Sequence, residues 1–563
     1  MKIYDNSNIA ESYSGVTTPL TYSFARAVYQ EVYVYFCGMM GVGSSAINAN
    51  RPMFAKMVEF LGGRMYYDLI NWYKLVSFLP GYSFNRGFFE KMLGLQKRYD
   101  YNPPPPAGAL ERYFIVLPRL VYQTLKIALT FARMGALVRG FNRRFDQAYG
   151  ELSALDLAAL DLPACKKLYY QVYDEFVARW QVPIANDFAV MVAAGAADKL
   201  YRAWLDKDGY VQLFSRSRRP LVTLDPGYRI IEIVSLIKKE PKLLAAFAGG
   251  QPGEILAQLR GRFAASAAAA EIRAYMERFG SRVPNELKLE SKSINEQPEF
   301  FISILQASLS SGKEAAPEAP QAADAAASLP FWRRLVLAVV GNWAVNSVFR
   351  REETRFRRSL IFGFSRKLFL AIADKFTARG FINNREDIFY LSMEEIFEII
   401  DSGRAAADLN KAIAARKADY EYWKGRETPR RIESELPLAA IEAGLRAGAA
   451  PAAGTGVLKG FTAARTPRSK VSGEALVLPD FDPSADFAGK ILVTRQTDPG
   501  WTIVFPLLKG IIVERGGMLS HAAIVARELR IPCIVGVERA VAGVPRGANI
   551  EMHMETGEVH VLN

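Results

Sequence analysis

Glu514-Arg515-Gly516-Gly517-Met518-Leu519-Ser520-His521-Ala522-Ala523-Ile524-Val525-Ala526-Arg527-Glu528 is the stretch on which the fold of this chain turns. An apolar run, 510–514 (GIIVE), enters it as a strand and meets a Gly-Gly turn. Ser520 then stands at a helix N-cap position, His521 falls on the first turn, and small residues carry the helix over 521–529. These residues suit a histidine that carries phosphate. Gly516 and Gly517 let backbone N–H groups approach an anion closely. The helix N-terminus at Ser520 offers unpaired N–H groups and the positive end of a dipole. The alanines leave the imidazole accessible, and Arg527 can balance charge at the surface. From spacing alone, a histidine at an ordinary strand–helix turn reads the same.

Around this stretch the texture is that of a small α/β domain. Short β-rich runs occupy 490–494 (KILVT), 510–514, 532–537 (PCIVGV), and 549–554 with 558–562 about Thr556-Gly557, the last two as a hairpin. Upstream, 443–456 (AGLRAGAAPAAGTG) reads as a flexible linker, so the α/β domain covers 457–563. Residues 1–442 are dominated by long apolar-periodic segments such as 168–181, 227–248 and 350–380, and read as one mainly helical domain. Within it, Pro103–Pro106 marks a loop and 313–329 a flexible Ala/Pro/acid-rich insertion. The fold class is therefore multidomain: a large mainly α-helical domain followed by a small α/β domain.

Composition bounds the function. The chain has 563 residues, 50% of them hydrophobic and 12% aromatic, enough for sizeable cores. Its three cysteines, Cys37, Cys165 and Cys533, form no CxxC and their odd count argues against a disulfide framework. A cytoplasmic location is the expectation, and the first residues show no secretory h-region. The apolar stretch 114–137 contains Arg119, Lys126 and Arg133 and is expected to be a buried or amphipathic helix, with no transmembrane segment. The net charge is +13; residues 457–563 hold 12 basic and 11 acidic residues, which leaves +12 in 1–456. No run of five or six basic residues supports nucleic-acid binding. All three histidines, His521, His553 and His560, lie in the last 43 residues, so any histidine chemistry belongs there.

The segment GGMLSHAAIVARELRIPCIVGV resembles the phosphohistidine, or swivelling, domain of the phosphoenolpyruvate-utilizing enzymes, a family that includes pyruvate phosphate dikinase and rifampicin phosphotransferase. The resemblance covers 457–563, and Thr497-Asp498-Pro499-Gly500-Trp501-Thr502 looks most like the rifampicin phosphotransferase branch. It implies that His521 is the catalytic residue phosphorylated on its imidazole. Leu519 stands where the dikinases have Thr, so regulatory phosphorylation there is not expected. Gly15–Thr21, Gly63–Tyr67, Arg351–Glu353 and Glu386–Leu391 are similar, in order, to the rifampicin-binding domain. By the same resemblance Arg282, Glu286, Arg351 and Glu352 are candidate substrate contacts, with helix–helix ion pairing as the alternative. A usual Gly-His-Arg element is Gly280-Ser281-Arg282 here.

The family's ATP-grasp domain and its phosphoenolpyruvate barrel have no counterpart in the sequence, and no GxxxxGK[ST] occurs. The expectation is a phosphotransferase, or a subunit of one, that binds no cofactor itself. ATP and Mg²⁺ would sit on a separate ATP-grasp protein of the pyruvate phosphate dikinase type. His521 would pass phosphate to a hydroxyl of an apolar small molecule held by the Tyr/Phe-rich helical domain. A non-catalytic homologue that keeps the folds is the alternative. The loose GxGxxA at Gly41–Ala46 sits in a helical context, and His553, His560, Glu555 and Glu558 read as hairpin surface, so no metal site is expected.

Overall fold

The structure is a computed structural model. It describes all residues except 83–85, 87–89, 91–98, 100, 103–107, 109–111, 206–224, 282–286, 311–328, 449–457, 465–468, 517–519 and 563, and the side chain of Arg112. The expected loop at Pro103–Pro106 and nearly all of the expected insertion 313–329 therefore lie outside the described residues. In chain order the helices that matter are α1 (Pro19–Met39), α2 (Leu117–Ser153), α3 (Gln181–Leu205), α4 (Asp225–Lys238), α5 (Ala267–Phe279), α6 (Pro298–Ser310), α7 (Phe331–Ala378), α8 (Leu438–Ala447) and α9 (His521–Glu528). The strands are β1 (Lys2–Asp5), β2 (Val58–Leu61), β3 (Arg64–Asp68), β4 (Arg431–Ser434), β5 (Leu458–Lys459), β6 (Phe461–Ala464), β7 (Lys470–Val477), β8 (Ile491–Thr494), β9 (Gly510–Val513), β10 (Cys533–Val535), β11 (Asn549–His553) and β12 (Glu558–Val561).

The chain divides into two compact units. The first holds Met1–Ile9, Val16–Phe214 and Ala323–Ala450; the second holds Ala10–Gly15, Ser215–Ala322 and Pro451–Asn563. Helices α4, α5 and α6, which the sequence assigns to the N-terminal helical domain, thus group with the C-terminal α/β domain.

In the first unit the 48-residue α7 is the spine. It runs antiparallel to α3, with Asn186 Nδ2 donating to Ser347 O at 2.9 Å and Trp204 packed on Trp332. It runs parallel to α2. Phe131 meets Trp343, Asn142 meets Glu353, and Arg357 makes a two-pronged pair with Asp146. An aromatic cluster of Phe24, Tyr169, Phe362 and Phe369 seals the centre. The region expected to be mainly helical also holds an antiparallel sheet, ordered β2-β3-β1-β4. Its hairpin turns at Gly62 and Gly63, whose φ values of 55° and 68° are the pair a two-residue reversal needs. Ile441 of α8 packs on Tyr4, Leu61 and Tyr66 of this sheet, with Leu445 beside it. The first part of the expected linker 443–456 is therefore helix and packed surface, because Leu438, Ile441 and Leu445 recur at helical spacing.

In the second unit the eight-stranded sheet is ordered β5-β12-β11-β7-β8-β9-β10-β6. β7, β8, β9 and β10 are parallel neighbours, and the flanking pairs are antiparallel. The central strands are buried on both faces and read as unbroken apolar runs, as parallel strands do. Val471, Ile491, Val493, Ile512, Ile534, Ile550 and Met552 share one core. The helical part of the unit has its own centre in the stacked rings of Tyr275 and Phe301, and its Phe300 meets Phe481 of the α/β domain edge-on at 5.7 Å.

Candidate phosphocarrier site

The site lies at the carboxyl ends of the parallel strands β8 and β9, where open α/β sheets place their ligands. Beyond β9 the chain continues the ladder for two residues, with Glu514 N and Arg515 N donating to Thr494 O and Arg495 O. Glu514 Oε1 then accepts from Val541 N at 2.8 Å, which pins the turn. Gly516 has φ 102°, and a Cβ there would lie 2.7 Å from Ser520 Cβ, so only glycine lets the capping serine close. Ser520 Oγ accepts from Ala523 N and starts α9 at His521. Gly517 lies outside the described residues.

His521 is 3% exposed. Its Nδ1 is 3.3 Å from Thr497 Oγ1 and its Nε2 is 3.2 Å from Thr502 Oγ1. A neutral imidazole has one bare nitrogen and one N–H, and hydroxyls can serve both: one Thr donates while the other accepts. The Phe505 ring lies 5.8 Å away, tilted by 49°. Thr497 and Thr502 belong to the hexad Thr497–Thr502, which folds as a capped 3₁₀ turn over Pro499–Ile503. Asp498 Oδ1 accepts from Gly500 N at 2.7 Å, Pro499 presets the first turn, and Trp501 is buried edge-on to Phe481. The turn is in contact with α4, whose Gly227 would place a Cβ 3.8 Å from Thr502 O and 3.7 Å from Pro506 Cγ. The sequence named the hexad as a match but assigned Thr497, Thr502 and Phe505 no part. Their contact with His521 spans 24, 19 and 16 positions, which no local period reveals.

Arg527 follows His521 by six positions, about 240° around the helix, and so leaves on another face. Its Nε donates to Ala463 O of β6 at 2.7 Å, tying α9 to the sheet. At the other end of α9, burial pushes the Glu528 carboxyl up to about 7. Burial and then Glu528 raise the Tyr228 hydroxyl of α4. Cys533 is buried behind the site, its thiol pushed up to about 12. Arg282 and Glu286 lie outside the described residues. Arg351 and Glu352 belong to the first unit, where Arg351 Nε is 3.4 Å from Asp187 Oδ1 and the buried Glu352 lies 3.8 Å from Arg355.

The other two histidines form a contrasting arrangement on the β11–β12 hairpin. Their rings stack with centroids 4.2 Å apart. His553 Nε2 is 2.7 Å from Glu551 Oε1, and His560 Nε2 is 3.5 Å from Glu558 Oε2. Among the described residues, His553, Glu558 and His560 are the group whose ligand atoms converge, within 4.8 Å of one another, as a cation would require.

Residues 487–557 match the family model of the PEP-utilising enzyme mobile domain, and residues 184–352 match that of the rifampicin phosphotransferase fourth domain. The chain is similar to rifampicin phosphotransferase of Bacillus cereus, at 23% identity over 75% of this chain and 48% of the relative. The corresponding figures for rifampicin phosphotransferase of Streptomyces sviceus are 24%, 65% and 42%. An uncharacterized protein of Mycobacterium tuberculosis matches at 26% identity over 59% of this chain and 35% of its own length. The chain thus spans about half or less of the length of these relatives. His521 and its threonines accordingly sit in the stretch that matches the PEP-utilising enzyme mobile domain, within a chain that resembles the rifampicin phosphotransferases over much of its length.

Proposed function

We propose that this chain is a cytoplasmic phosphotransferase, or the carrier and acceptor-binding subunit of one, in which His521 holds phosphate in transit. The observation that carries the reading is the placement of His521 at the capped start of α9 with a Thr hydroxyl on each ring nitrogen. The helix N-terminus favours an anion on the ring. A ring held at one nitrogen by hydroxyl contact keeps the other aligned for attack.

In the first half-reaction an imidazole nitrogen attacks phosphorus of a donor phosphate. A P–N bond forms, the P–O bond to the leaving phosphate breaks, and that oxygen keeps the electron pair. In the second half-reaction an acceptor hydroxyl attacks phosphorus, the P–N bond breaks, and the hydroxyl proton passes to a base. Splitting the transfer makes two easier steps of one hard one. The donor is ATP with Mg²⁺ on a separate ATP-grasp protein, and the acceptor is an apolar small molecule with a hydroxyl. Arg282, Glu286, Arg351 and Glu352 are candidate acceptor contacts. The Arg351–Asp187 pair equally suits helix packing. With both ring nitrogens in contact and the ring buried, a Thr contact must open before His521 meets phosphorus.

That burial also favours a second reading, a binding homologue without turnover. The two part on one experiment. The chain is mixed with the ATP-grasp protein encoded nearest to it and with labelled ATP. Acid-labile, base-stable label on His521 supports the enzyme; no label, or label that survives His521→Ala, overturns it.

A further inference from the structure

The sequence predicts a buried or amphipathic helix over 114–137, yet α2 carries its apolar residues in the open. Tyr113–Ser153 is long and apolar enough by length and composition to cross a membrane, and only 11% of its most apolar 18-residue window is buried. Phe114 is 74% exposed and Leu125 66%. In the lower half of α2 the pattern reverses: Met134, Val138, Phe141 and Phe145 form a regular buried stripe. Helix α7 repeats the change. Phe331 is 80% exposed, Trp332 and Val339 are exposed, and a buried stripe begins at Leu337, Gly341, Ala344 and Val348.

The two helices run in the same direction at a fixed offset. Asn142 and Asp146 of α2 meet Glu353 and Arg357 of α7, each pair 211 positions apart. That register sets Leu120 level with Phe331, so the exposed halves lie together. The antiparallel α3 brings Trp204 to the same end, against Trp332. Counting from the Phe131–Trp343 contact to the helix starts at Leu117 and Phe331, the apolar end is about 18–21 Å long at 1.5 Å per residue.

Two features say what covers it. Over 117–129 the exposed apolar side chains of α2 sweep about 200° of the helix circumference, twice the stripe that one packed neighbour needs. Lipid solvates a helix from several sides at once. On α2 and α7 the charge is also of one sign: 112–145 holds seven Arg and Lys and 331–351 holds four Arg, with no Asp or Glu in either, while on α3 the Asp198 carboxylate is paired with Arg202. Interleaved aromatic and basic side chains without acid suit the boundary between anionic headgroups and acyl chains. We propose that the shared end of α2, α3 and α7 docks on the surface of an anionic lipid bilayer, without crossing it.

The test is flotation of the full chain with vesicles of phosphatidylcholine alone or with about 30 mol % phosphatidylglycerol, at roughly 0.1 M salt. The chain should float with the anionic vesicles and be released by salt. Leu125→Glu with Trp332→Glu, and separately Arg119→Glu with Arg334→Glu, should each weaken partition about tenfold or more while far-ultraviolet circular dichroism stays unchanged. Failure of the unmodified chain to float, or equal flotation with neutral vesicles, would overturn the proposal. So would self-association by analytical ultracentrifugation that the apolar pair of substitutions abolishes, because a second copy would then cover the face.

Discussion

Two histidine sites in one domain show what surroundings do to the same side chain. His521 is buried at a helix start and touches threonine hydroxyls; His553 and His560 sit on a hairpin beside carboxylates. The hairpin is a network of opposite charges. Hydrogen bonds from Lys470 hold Glu551 below the usual carboxylate range, and Lys459 does the same for Glu558. Neutral hydroxyls around His521 impose no such charge, and the helix end favours the opposite sign. The position on the fold, more than the residue type, separates the two sites.

The largest effect expected from this contrast is in labelling. His521→Ala should cut phosphate uptake from the proposed ATP-grasp partner by about a thousandfold or more, as loss of a nucleophile does, while His553→Ala and His560→Ala leave it unchanged. Label moving with a hairpin histidine would reverse the assignment. Next is the threonine shell: Thr497→Val and Thr502→Val each leave a buried ring nitrogen without its partner, worth about 1–3 kcal/mol. Loss of the threonine that holds the ring should slow labelling roughly tenfold to a hundredfold, and loss of the one that must open should not. Unchanged rates for both in quench-flow would show that the threonines only pack.

A smaller effect separates the two ends of α9. Glu528 is protonated more readily in the folded chain than in the unfolded one, its carboxyl being raised from 4.5 to about 7. Stability from this group is therefore full below about pH 4.5 and is lost as pH rises toward about 7. Glu528→Gln should flatten that slope and raise stability at pH 8 by roughly 1–2 kcal/mol, allowing for partial exposure. Denaturant melts at pH 5 and pH 8 measure it; an unaltered slope would place the carboxylate in water. The smallest effect belongs to the hairpin, where His553→Ala should shift stability by no more than about 0.5 kcal/mol.

Much of the C-terminal domain was legible. β8, β9, β10, the β11–β12 hairpin and α9 fall where short apolar runs, glycine turns and a serine cap put them. The strands β5, β6 and β7 were not read, because 458–477 mixes small and polar residues whose strand state comes from their neighbours in the sheet. The N-terminal sheet has a local signal in the sequence: Gly62-Gly63 between VEFL and RMYYD is a two-residue hairpin turn within a region whose period is otherwise helical. For α2 the period announced a helix correctly, but a period says nothing of what lies against it. In the site, His521 and Ser520 were readable from adjacent residues, whereas Thr497, Thr502 and Phe505 reach the ring through tertiary contact.

The pairing of β1 with β4 sets the schedule on which the chain can be finished. Lys2 lies opposite Ser434 and Asp5 opposite Arg431. At about 5–20 residues per second, roughly 20–90 s of synthesis separate the first strand from its last partner. Through that interval a nascent β2-β3-β1 meander has an open edge, a template on which other chains can pair. A stalled ribosome before residue 431 is expected to release an aggregating fragment, so occupancy by nascent-chain chaperones should peak over this window of translation.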